Sequence, residues 1–559
     1  MRIFRTLLLS ACAAGLLAGC GGSGTSGGSV NSSSTRGTLI QNPPLRTASV
    51  TATDFTAQLN ATSAGPGLLQ VAGAPTCGID FHYIQYATVG GAGEATTATG
   101  VLMVPTAPAN ASPATLAQCT GPRPIVLYAH GTSTVKTFNL AAISDQTNDA
   151  NGESALIATM FAAQGYILVA PNYAGYDAST LPYHPYLNAD QQSKDMIDAL
   201  TAARSALGHV FASGTTDNHK LFITGYSQGG YVAMATQQAL ENLGQPVTAA
   251  APMSGPYATE AFGDAMLLGS VDIGSTVFIP MITTSYQNSY GGIYNSTSDI
   301  YESAYATGID SLLPNTSPLA TLFTQGKLPQ LALFNSTTPT PGSGTTPSTG
   351  NTTLDAELTS VLALPSNPLF QSGFGSNNLL KNSVRIAYGA DALVNQDQAI
   401  FTSAGAPLAN GAIFTQVGAP LATSTTYPLR TKLQLNDMRY KRYSSSTTGF
   451  VPQHPTLLCG GANDPTVFFS VNAGTMKAYW APMLLPNGLV TVLDLETGLG
   501  NGDPFTLAEG GFAQTIAGIK TQAVAAGATD GGVSAATQAY HDTVAPFCTA
   551  AARGFFSQF

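Results

Sequence analysis

Short apolar runs recur along the chain, separated by stretches with apolar residues at helical spacing. Runs without polar alternation are typical of strands buried on both faces, as in the centre of a parallel sheet. They lie at 124–129, 166–170, 220–224, 247–253, 456–459 and 489–493. The helical stretches lie at 153–164, 190–207, 230–243, 512–526 and 536–559. This alternation predicts βαβ units and an α/β fold with a mostly parallel sheet.

A different pattern precedes the first of these runs. Residues 81–88 and 96–104 form two strand patterns around the glycine-rich turn 89–93. Two strands joined in this way predict a hairpin that opens the sheet. Together with the alternating stretch up to 255, it defines the first part of the expected core, residues 47–255.

The alternation stops in the middle of the chain. Between 256 and 450, Pro, Tyr, Ser and Thr are frequent, and only helical fragments such as 354–364 are found. We therefore expect an inserted cap over 256–450 and a second part of the core over 451–559. The low-complexity stretch 335–353 within the cap is predicted to be a disordered loop.

The composition narrows the class of partner. Of the 559 residues, 44% are hydrophobic and only 9% are charged, well below the usual quarter. The polar surface must therefore consist mostly of Ser, Thr, Asn, Gln and Gly, which suits an extracellular protein. The net charge is −10 and Lys and Arg are not clustered. Because phosphate binding needs such clusters, the sequence argues against a nucleic-acid partner.

The first twenty residues have the features of an export signal. Arg2 and Arg5 form a short basic region, and 7–17 is an apolar run too short to span a bilayer as a stable helix. The run ends in Leu-Ala-Gly-Cys at 17–20. This resembles the bacterial lipobox, in which cleavage precedes the Cys and the thiol is lipidated. The alternative is an ordinary secretory signal with an incidental Cys.

The lipobox resemblance implies a signal peptide over 1–19 and a lipid anchor on Cys20, which would attach the protein to a membrane of the cell envelope. Residue 22 is Gly, not the Asp associated with retention in the inner membrane. In a Gram-negative host the resemblance thus implies the outer membrane. The Gly- and Ser-rich residues that follow predict a flexible tether over 20–46.

Four of the six cysteines remain after the signal peptide and the lipidated residue are set aside: Cys77, Cys119, Cys459 and Cys548. Four cysteines allow three pairings. Cys77–Cys119 and Cys459–Cys548 is favoured because each bridge closes a local unit of the expected fold. Free thiols are the alternative, which fits a reducing cytosol better than an exported protein. No metal-ligand spacing and no Gly-rich phosphate loop is present, so neither metal nor cofactor is expected.

The motif that carries chemistry is Gly-Tyr-Ser-Gln-Gly at 225–229. It follows the apolar run 220–224 and precedes the helical pattern at 230–243, the strand–turn–helix context of a nucleophile elbow. The tight turn brings neighbouring residues very close, which glycines at both ends permit. The Ser227 hydroxyl would then lie at a helix N-terminus, where N–H groups stabilise negative charge on a substrate oxygen.

Further motifs occur in a fixed order: Tyr-Ala-His-Gly-Thr at 128–132, Val-Ala-Pro-Asn-Tyr-Ala-Gly at 169–175, Tyr-His-Pro-Tyr-Leu at 183–187 and the elbow at 225–230. Together they resemble the secreted lipase/esterase branch of the α/β-hydrolase superfamily. The resemblance is strong from 80 to 255, weak through the cap and moderate from 450 onwards. It implies an α/β-hydrolase fold with a large inserted cap, and hydrolysis of acyl esters through an acyl-enzyme.

The resemblance also implies an oxyanion hole. The His-Gly dipeptide begins the loop that supplies one N–H, which by position would be that of Thr132, with Gly131 as the alternative. The second N–H would be that of Gln228. Losing one such donor typically costs about 3–4 kcal/mol of transition-state stabilisation. His130 is expected to brace this loop, and a simple turn at the end of a strand is the alternative for the dipeptide.

Four residues near these motifs are expected to line the substrate pocket: Gly131, Tyr226, His184 and Tyr186. For the Tyr-His-Pro-Tyr cluster at 183–186, packing of a loop is an equal alternative.

A serine needs a base to take its proton. The chain order expected for this fold is Ser, then acid, then His. Only His454 and His541 follow Ser227. His454 precedes the strand pattern at 456–459 and so lies before the expected acid. His541 is therefore assigned as the base, the alternative being a surface histidine on a helix.

The acid is assigned to Asp464, which follows a buried strand pattern through a glycine-containing turn. Its carboxylate would fix the imidazole tautomer and stabilise the imidazolium. Asp494, inside a strand pattern, and Asp503, in a Gly-Asp-Pro loop, are the rivals. A Cys459–Cys548 bridge would tie the segment bearing the acid to the segment bearing the base.

These residues predict a serine carboxylic-ester hydrolase, either an esterase or a lipase, that acts outside the cytoplasm on small-molecule acyl esters or on polymeric esters and their oligomers. Two alternatives stay open from the sequence. The same fold and residues serve secreted serine peptidases and amidases, and a non-catalytic lipoprotein of the envelope could have inherited the fold. The natural ester and the oligomeric state are not predicted.

Overall fold

The computed structural model describes residues 35–210, 214–344, 346–400 and 420–559. The predicted signal peptide 1–19, the lipidation residue Cys20 and the tether up to residue 34 lie outside these ranges. Residues 35–46 were also assigned to the tether, but they pack along a strand of the sheet. The N–H groups of Gly37 and Ile40 donate to the carbonyl oxygens of Ala87 and Gln85, each over 2.8 Å. The core therefore begins before residue 47.

Nine strands form one sheet in the order β1-β2-β3-β5-β4-β6-β7-β8-β9. The first four in this order pair antiparallel, and the pairs from β5 through β4 to β9 are all parallel. The strands are β1 (Leu45–Val50), β2 (Gly78–Val89), β3 (Ala95–Thr106), β4 (Gly121–Ala129), β5 (Ile167–Pro171), β6 (Thr215–Tyr226), β7 (Ala249–Met253), β8 (Thr456–Gly460) and β9 (Val490–Asp494).

The mostly parallel sheet confirms the predicted fold class. Every residue of β5, β7 and β8 is buried, because helices cover both faces and the strands consequently lack polar alternation. The predicted hairpin is β2 and β3, which pair along their whole length. Strand β1 was not predicted, since its six residues at the sheet edge are mostly exposed and have little hydrophobic signal.

Helices lie before, within and after a long insertion between β7 and β8. Before it are α1 (Ala52–Asn60), α2 (Gly65–Ala72), α3 (Pro113–Cys119), α4 (Asn151–Met160), α5 (Ala189–Leu207) and α6 (Gln228–Asn242). Within it are α7 (Thr259–Leu268), α8 (Ser275–Tyr290), α9 (Ser303–Ala306), α10 (Leu319–Thr324), α11 (Thr352–Val361), α12 (Pro368–Gln371), α13 (Asn382–Val394) and α14 (Pro428–Asn436). After it are α15 (Thr475–Trp480), α16 (Thr506–Ala525) and α17 (Val533–Phe556).

The insertion, residues 254–455, is helical wherever the structure assigns it regular elements longer than a bridge. Its helices escaped sequence analysis because many are short and α8 contains Pro280, which interrupts a helical pattern. A buried ion-pair network joins three of them. The Arg430 guanidinium on α14 lies 2.7 Å from Asp264 on α7 and 3.2 Å from Asp391 on α13. Removing one partner would leave a buried charge uncompensated, so this network fixes the helices relative to one another.

The stretch predicted to be a disordered loop, 335–353, has a described path apart from residue 345. It consists of turns and extended segments and leads into α11. The side chain of Asn351 caps that helix by accepting the N–H groups of Thr353 and Leu354. Low complexity at this position thus reflects side chains that bond locally to the backbone, as is typical of Ser, Thr and Asn in turns.

Two disulfides are formed, Cys77–Cys119 and Cys459–Cys548, which is the pairing favoured from the sequence. The first joins the residue that precedes β2 to the end of α3. The second joins β8 to α17 across a sequence separation of 89 residues. Among the described residues, no helix combines the length and apolar character needed to cross a membrane.

Candidate active site

The turn between β6 and α6 has the geometry of a nucleophile elbow. Ser227 links the last residue of the strand to the first of the helix and has φ 59° and ψ −122°, a strained conformation for a residue with a side chain. A Cβ on Gly225 would lie 2.4 Å from the nearest backbone oxygen, and a Cβ on Gly229 would lie 1.9 Å from Ala129 O. Both glycines are therefore required for the close packing of β6, β4 and α6.

The backbone around Ser227 is held on both sides. Its N–H donates to Met253 O over 3.0 Å, and its carbonyl accepts the Gly230 N–H at 2.9 Å. The residue is 9% exposed, so the hydroxyl is shielded from bulk solvent yet borders a cavity. The turn thus presents a serine hydroxyl at the N-terminus of a buried helix.

His541 and Asp464 are brought together from opposite ends of the second part of the core. His541 lies on α17, and Asp464 lies in the turn after β8. The imidazole Nδ1 is 2.7 Å from Asp464 Oδ2, while the other carboxylate oxygen accepts the N–H groups of Thr466 and Val467. The carboxyl group has three donors and is fixed in place, and its Oδ2 accepts from the imidazole, so Nδ1 carries the proton.

This arrangement leaves Nε2 as the basic nitrogen. Nε2 of His541 is buried and has no hydrogen-bond partner among the described residues. It is therefore not hydrogen-bonded to the Ser227 hydroxyl in this structure. Burial lowers the pKa of His541, but the charge of Asp464 and the hydrogen bond to it outweigh burial and raise the pKa above 6.5. The imidazole is thus a stronger base than a free histidine.

Contacts to Tyr226 hold His541 against the residue that precedes the serine. The Tyr226 hydroxyl donates to the backbone carbonyl of His541, and the two rings lie 4.9 Å apart between centroids. Because Tyr226 precedes Ser227 in the chain, this contact brings the histidine to the elbow. The Cys459–Cys548 disulfide also ties β8, which leads to Asp464, to the helix that carries His541.

The loop after β4 is bound by a residue that sequence analysis missed, Glu153 on α4. The N–H of Gly131 donates to Glu153 Oε1 over 3.0 Å, and the same oxygen accepts the Tyr128 hydroxyl at 2.8 Å. The Gly131 N–H is therefore engaged, which favours Thr132 over Gly131 as an oxyanion donor. Burial raises the pKa of Glu153 to about 7. No local motif links residue 153 to this loop, so the sequence carried no signal for it.

The side chain of Gln228 is held by a hydrogen bond to His184. The His184 Nδ1 lies 2.9 Å from the Ala174 carbonyl oxygen, which can only accept, so Nδ1 carries the proton. Its Nε2 then accepts from the Gln228 side-chain amide at 2.7 Å. Burial lowers the pKa of His184 to about 3, which keeps the ring neutral. His184 thus supports the first turn of α6, and it is not among the residues that line the cavity.

His130 is a packing residue at the base of the same loop. Its ring stacks between Phe138 and Tyr173, with centroids 4.3 and 4.1 Å away. Burial lowers its pKa to about 4, so the ring is neutral and its contacts are internal. This geometry suits bracing of the loop.

The rival residues have other partners. His454 Nδ1 lies 2.9 Å from a carboxylate oxygen of Glu241. Asp494 accepts the N–H of Ala462, and Asp503 accepts N–H groups of its own loop. None of these contacts joins the rivals to the elbow.

An apolar cavity adjoins Ser227. Most of its wall comes from the insertion. The lining residues are Tyr186, Leu187, Ser227, Gln228, Pro256, Thr259, Phe262, Gly263, Met266, Asp272, Phe278, Ile282, Leu433, Thr466 and Val467. Of the four predicted pocket residues, Tyr186 is in this wall, whereas Gly131, Tyr226 and His184 are not, because they pack beneath or beside the elbow.

The Tyr186 hydroxyl lies 2.9 Å from Thr132 Oγ1, which connects the cavity wall to the loop after β4. Within the described ranges, no group of three or more His, Cys, Asp or Glu side chains is arranged to hold a metal ion.

Comparison with known proteins gives the same picture of the fold. Residues 153–269, from α4 through the elbow to the end of α7, match the prolyl oligopeptidase family. No curated protein matches the sequence significantly. A ligand-bound form of the rice cell wall degrading esterase LipA from Xanthomonas oryzae is 26% identical, with a TM-score of 0.58, over 84% of this chain and 92% of that one. A putative hydrolase from Legionella pneumophila is 17% identical, with a TM-score of 0.56, over 93% and 97%.

The chain has an α/β-hydrolase fold. The family match and the esterase similarity together support a serine hydrolase on this fold.

Proposed function

We propose that the protein is a serine carboxylic-ester hydrolase that works through an acyl-enzyme. The observation that carries the proposal is the His541–Asp464 hydrogen bond of 2.7 Å, with the unpartnered Nε2 of that histidine next to the Ser227 elbow. A buried imidazole with one nitrogen fixed by a carboxylate and the other left basic suits the general base of such an enzyme.

In the proposed reaction, Nε2 of His541 takes the proton of the Ser227 hydroxyl as Oγ bonds to the ester carbonyl carbon. The N–H groups of Gln228 and Thr132 stabilise the oxyanion that forms. The tetrahedral intermediate collapses, the C–O bond to the alcohol breaks, and the imidazolium returns its proton to the departing alcohol. Water, deprotonated by the same histidine, then releases the acid and restores the serine.

Asp464 stabilises the imidazolium in both steps and remains ionised. Its two backbone donors and its ion pair with His541 support this role. Because Asp464 is 3% exposed, its charge acts on the imidazole through little water, which strengthens the interaction.

The apolar cavity favours an ester over a peptide, because it offers mostly aliphatic and aromatic side chains to an acyl chain. The similar structure from Xanthomonas oryzae is described as an esterase. A serine peptidase remains the second candidate because residues 153–269 match the prolyl oligopeptidase family. That match covers the elbow and strands β5, β6 and β7, which both classes share.

A fluorophosphonate probe tests the nucleophile. It should label the wild-type protein once and should not label Ser227→Ala, and the variant should lose hydrolysis of nitrophenyl esters. Labelling that persists in Ser227→Ala would refute the assignment. A parallel comparison of nitrophenyl esters, from acetate to palmitate, with peptide anilides separates the two candidate functions, because an esterase should leave the anilides intact whereas a peptidase should cleave them.

We further propose that the protein is exported and anchored through Cys20. The two disulfides support an oxidising compartment, and the lipobox-like sequence at 17–20 supports the anchor. An alkyne analogue of palmitate should label the wild-type protein in its host and should not label Cys20→Ser. Equal labelling of the two would exclude the lipid anchor.

A further inference from the structure

The cavity beside Ser227 contains a carboxyl group for which the proposed mechanism has no use. Asp272 lies in the turn between α7 and α8 and is 4% exposed. Neither of its carboxyl oxygens is hydrogen-bonded to another of the described residues, although the residue lines the cavity. Buried polar groups are almost always paired, so an unpaired carboxyl on a residue that lines a binding cavity points to a partner on the ligand.

The backbone holds this carboxyl in a fixed relation to the proposed catalytic residues. The N–H of Ile273, the next residue, donates to the Pro465 carbonyl oxygen over 3.0 Å. Pro465 follows Asp464, and the next two residues, Thr466 and Val467, line the same cavity. The turn that carries Asp272 is therefore attached directly to the turn that carries the acid.

The surroundings of Asp272 are otherwise suited to an alkyl chain. Phe262, Met266, Phe278 and Ile282 contribute apolar side chains to the wall. Thr259 also lines the cavity, but its hydroxyl already donates to Leu433 O over 2.7 Å. A chain entering from Ser227 would thus meet a mostly apolar surface that contains one unpaired carboxyl.

The chemistry of the carboxyl selects the partner. Burial raises the pKa of Asp272 to about 8, so near neutral pH the group is a carboxylic acid with one donor and one acceptor. An alcohol hydroxyl offers the complementary acceptor and donor. An ammonium group would bring a full charge and three donors into an apolar cavity, which costs several kcal/mol in desolvation.

We propose that this cavity binds the acyl chain of an ester that carries a hydroxyl group, and that Asp272 recognises this hydroxyl. The inference rests on the proposed ester hydrolysis at Ser227, because it specifies which esters that serine cleaves. The acyl chain is assigned to the cavity because it stays bonded to the serine after the alcohol has left, so a narrow pocket beside the elbow suits it.

The experiment compares kcat/KM for ethyl hexanoate with that for ethyl hydroxyhexanoates bearing the hydroxyl at the third or the terminal carbon. The wild-type protein should prefer one of the hydroxy esters by about tenfold or more. In Asp272→Leu, which has no polar group, this preference should disappear or reverse. Asp272→Asn should keep much of it, because a carboxamide also has a donor and an acceptor.

A matched control is the variant Thr259→Val. Thr259 is another polar residue that lines the cavity, and its hydroxyl is already hydrogen-bonded to the Leu433 carbonyl oxygen. This variant should keep the wild-type ratio. The fluorescence of Trp480, the only tryptophan of the chain, reports whether each variant is folded.

The outcomes separate the two proposals. Hydrolysis of ethyl hexanoate without any preference for a hydroxy ester, or with equal ratios in wild type and Asp272→Leu, would overturn the role of Asp272 and leave ester hydrolysis intact. A stronger preference for ethyl aminohexanoate would also overturn it. Failure of the folded wild-type protein to hydrolyse any ester would overturn both proposals.

Discussion

The unpaired carboxyl of Asp272 should make the protein less stable than its isosteric amide variant. In the folded protein burial raises the pKa of this group from 3.8 to about 8. The folded state therefore holds a proton that the unfolded chain releases at neutral pH. Each pH unit above the unfolded pKa costs about 1.4 kcal/mol, so at pH 7 the cost is about 4 kcal/mol of folding free energy.

The variant Asp272→Asn cannot ionise and has nearly the same shape. It should unfold at a higher urea concentration than wild type, with a free energy of unfolding that is greater by about 4 kcal/mol at pH 7. The difference should have a defined pH dependence. Because the folded pKa is raised, wild type loses stability as pH rises from about 4 to about 8, and the variant does not share this loss. At pH 5 the difference should shrink to about 2 kcal/mol.

Unfolding can be followed by the emission of Trp480, which is 3% exposed and donates its indole N–H to Phe450 O over 2.7 Å. The disulfides should be kept oxidised. Asp310→Asn, which alters an exposed carboxylate, is the control and should change stability by less than about 0.5 kcal/mol. Equal unfolding midpoints for wild type and Asp272→Asn at pH 7, or a difference that does not shrink at pH 5, would refute the reasoning.

Three other changes test the site and its support. Asp464→Asn should lower kcat/KM on the order of 10⁴-fold. It should also move the acidic limb of the pH–rate profile to lower pH, because the carboxylate raises the pKa of the base; an unmoved limb would argue against that partner. Gly229→Ala should destabilise the fold by about 3 kcal/mol, since its Cβ would meet a carbonyl oxygen. The control Gly510→Ala, with open space around the new Cβ, should stabilise α16 by about 0.5–1 kcal/mol. Equal unfolding midpoints for Gly229→Ala and wild type would exclude the clash. Replacing Cys459 and Cys548 by alanine should cost about 4 kcal/mol and reduce activity, and an unchanged Tm would show that the bridge contributes nothing.

The parts of the fold that sequence analysis predicted have strong local signals. The buried strands are continuous apolar runs, and the elbow combines glycines, a serine and a following helix within a few residues. The order Ser227, Asp464, His541 came from chain position along a recognised topology. The structure places the last two side chains in contact.

The parts that were missed depend on contacts between distant segments. Glu153 binds the loop after β4, and His184 supports Gln228, but neither residue lies in a motif that specifies its partner. Asp272 is a single polar residue between two helices that were not predicted. Its position in the cavity wall becomes apparent only in the folded structure, where the insertion covers the sheet and encloses the carboxyl. Sequence patterns report local periodicity, whereas these roles come from tertiary packing.

The insertion leaves the sheet after β7 and returns at β8, and these strands are hydrogen-bonded neighbours. The N–H of Ser254 donates to Cys459 O, and that of Ala250 donates to Pro455 O. The two ends of the insertion are therefore adjacent. Lengthening or replacing the residues between these ends adds only an entropic cost of loop closure that grows slowly with length. The serine comes from the sheet and most of the cavity wall from the insertion, so selectivity can diverge in evolution, or be exchanged by grafting, while the hydrolytic centre is inherited unchanged.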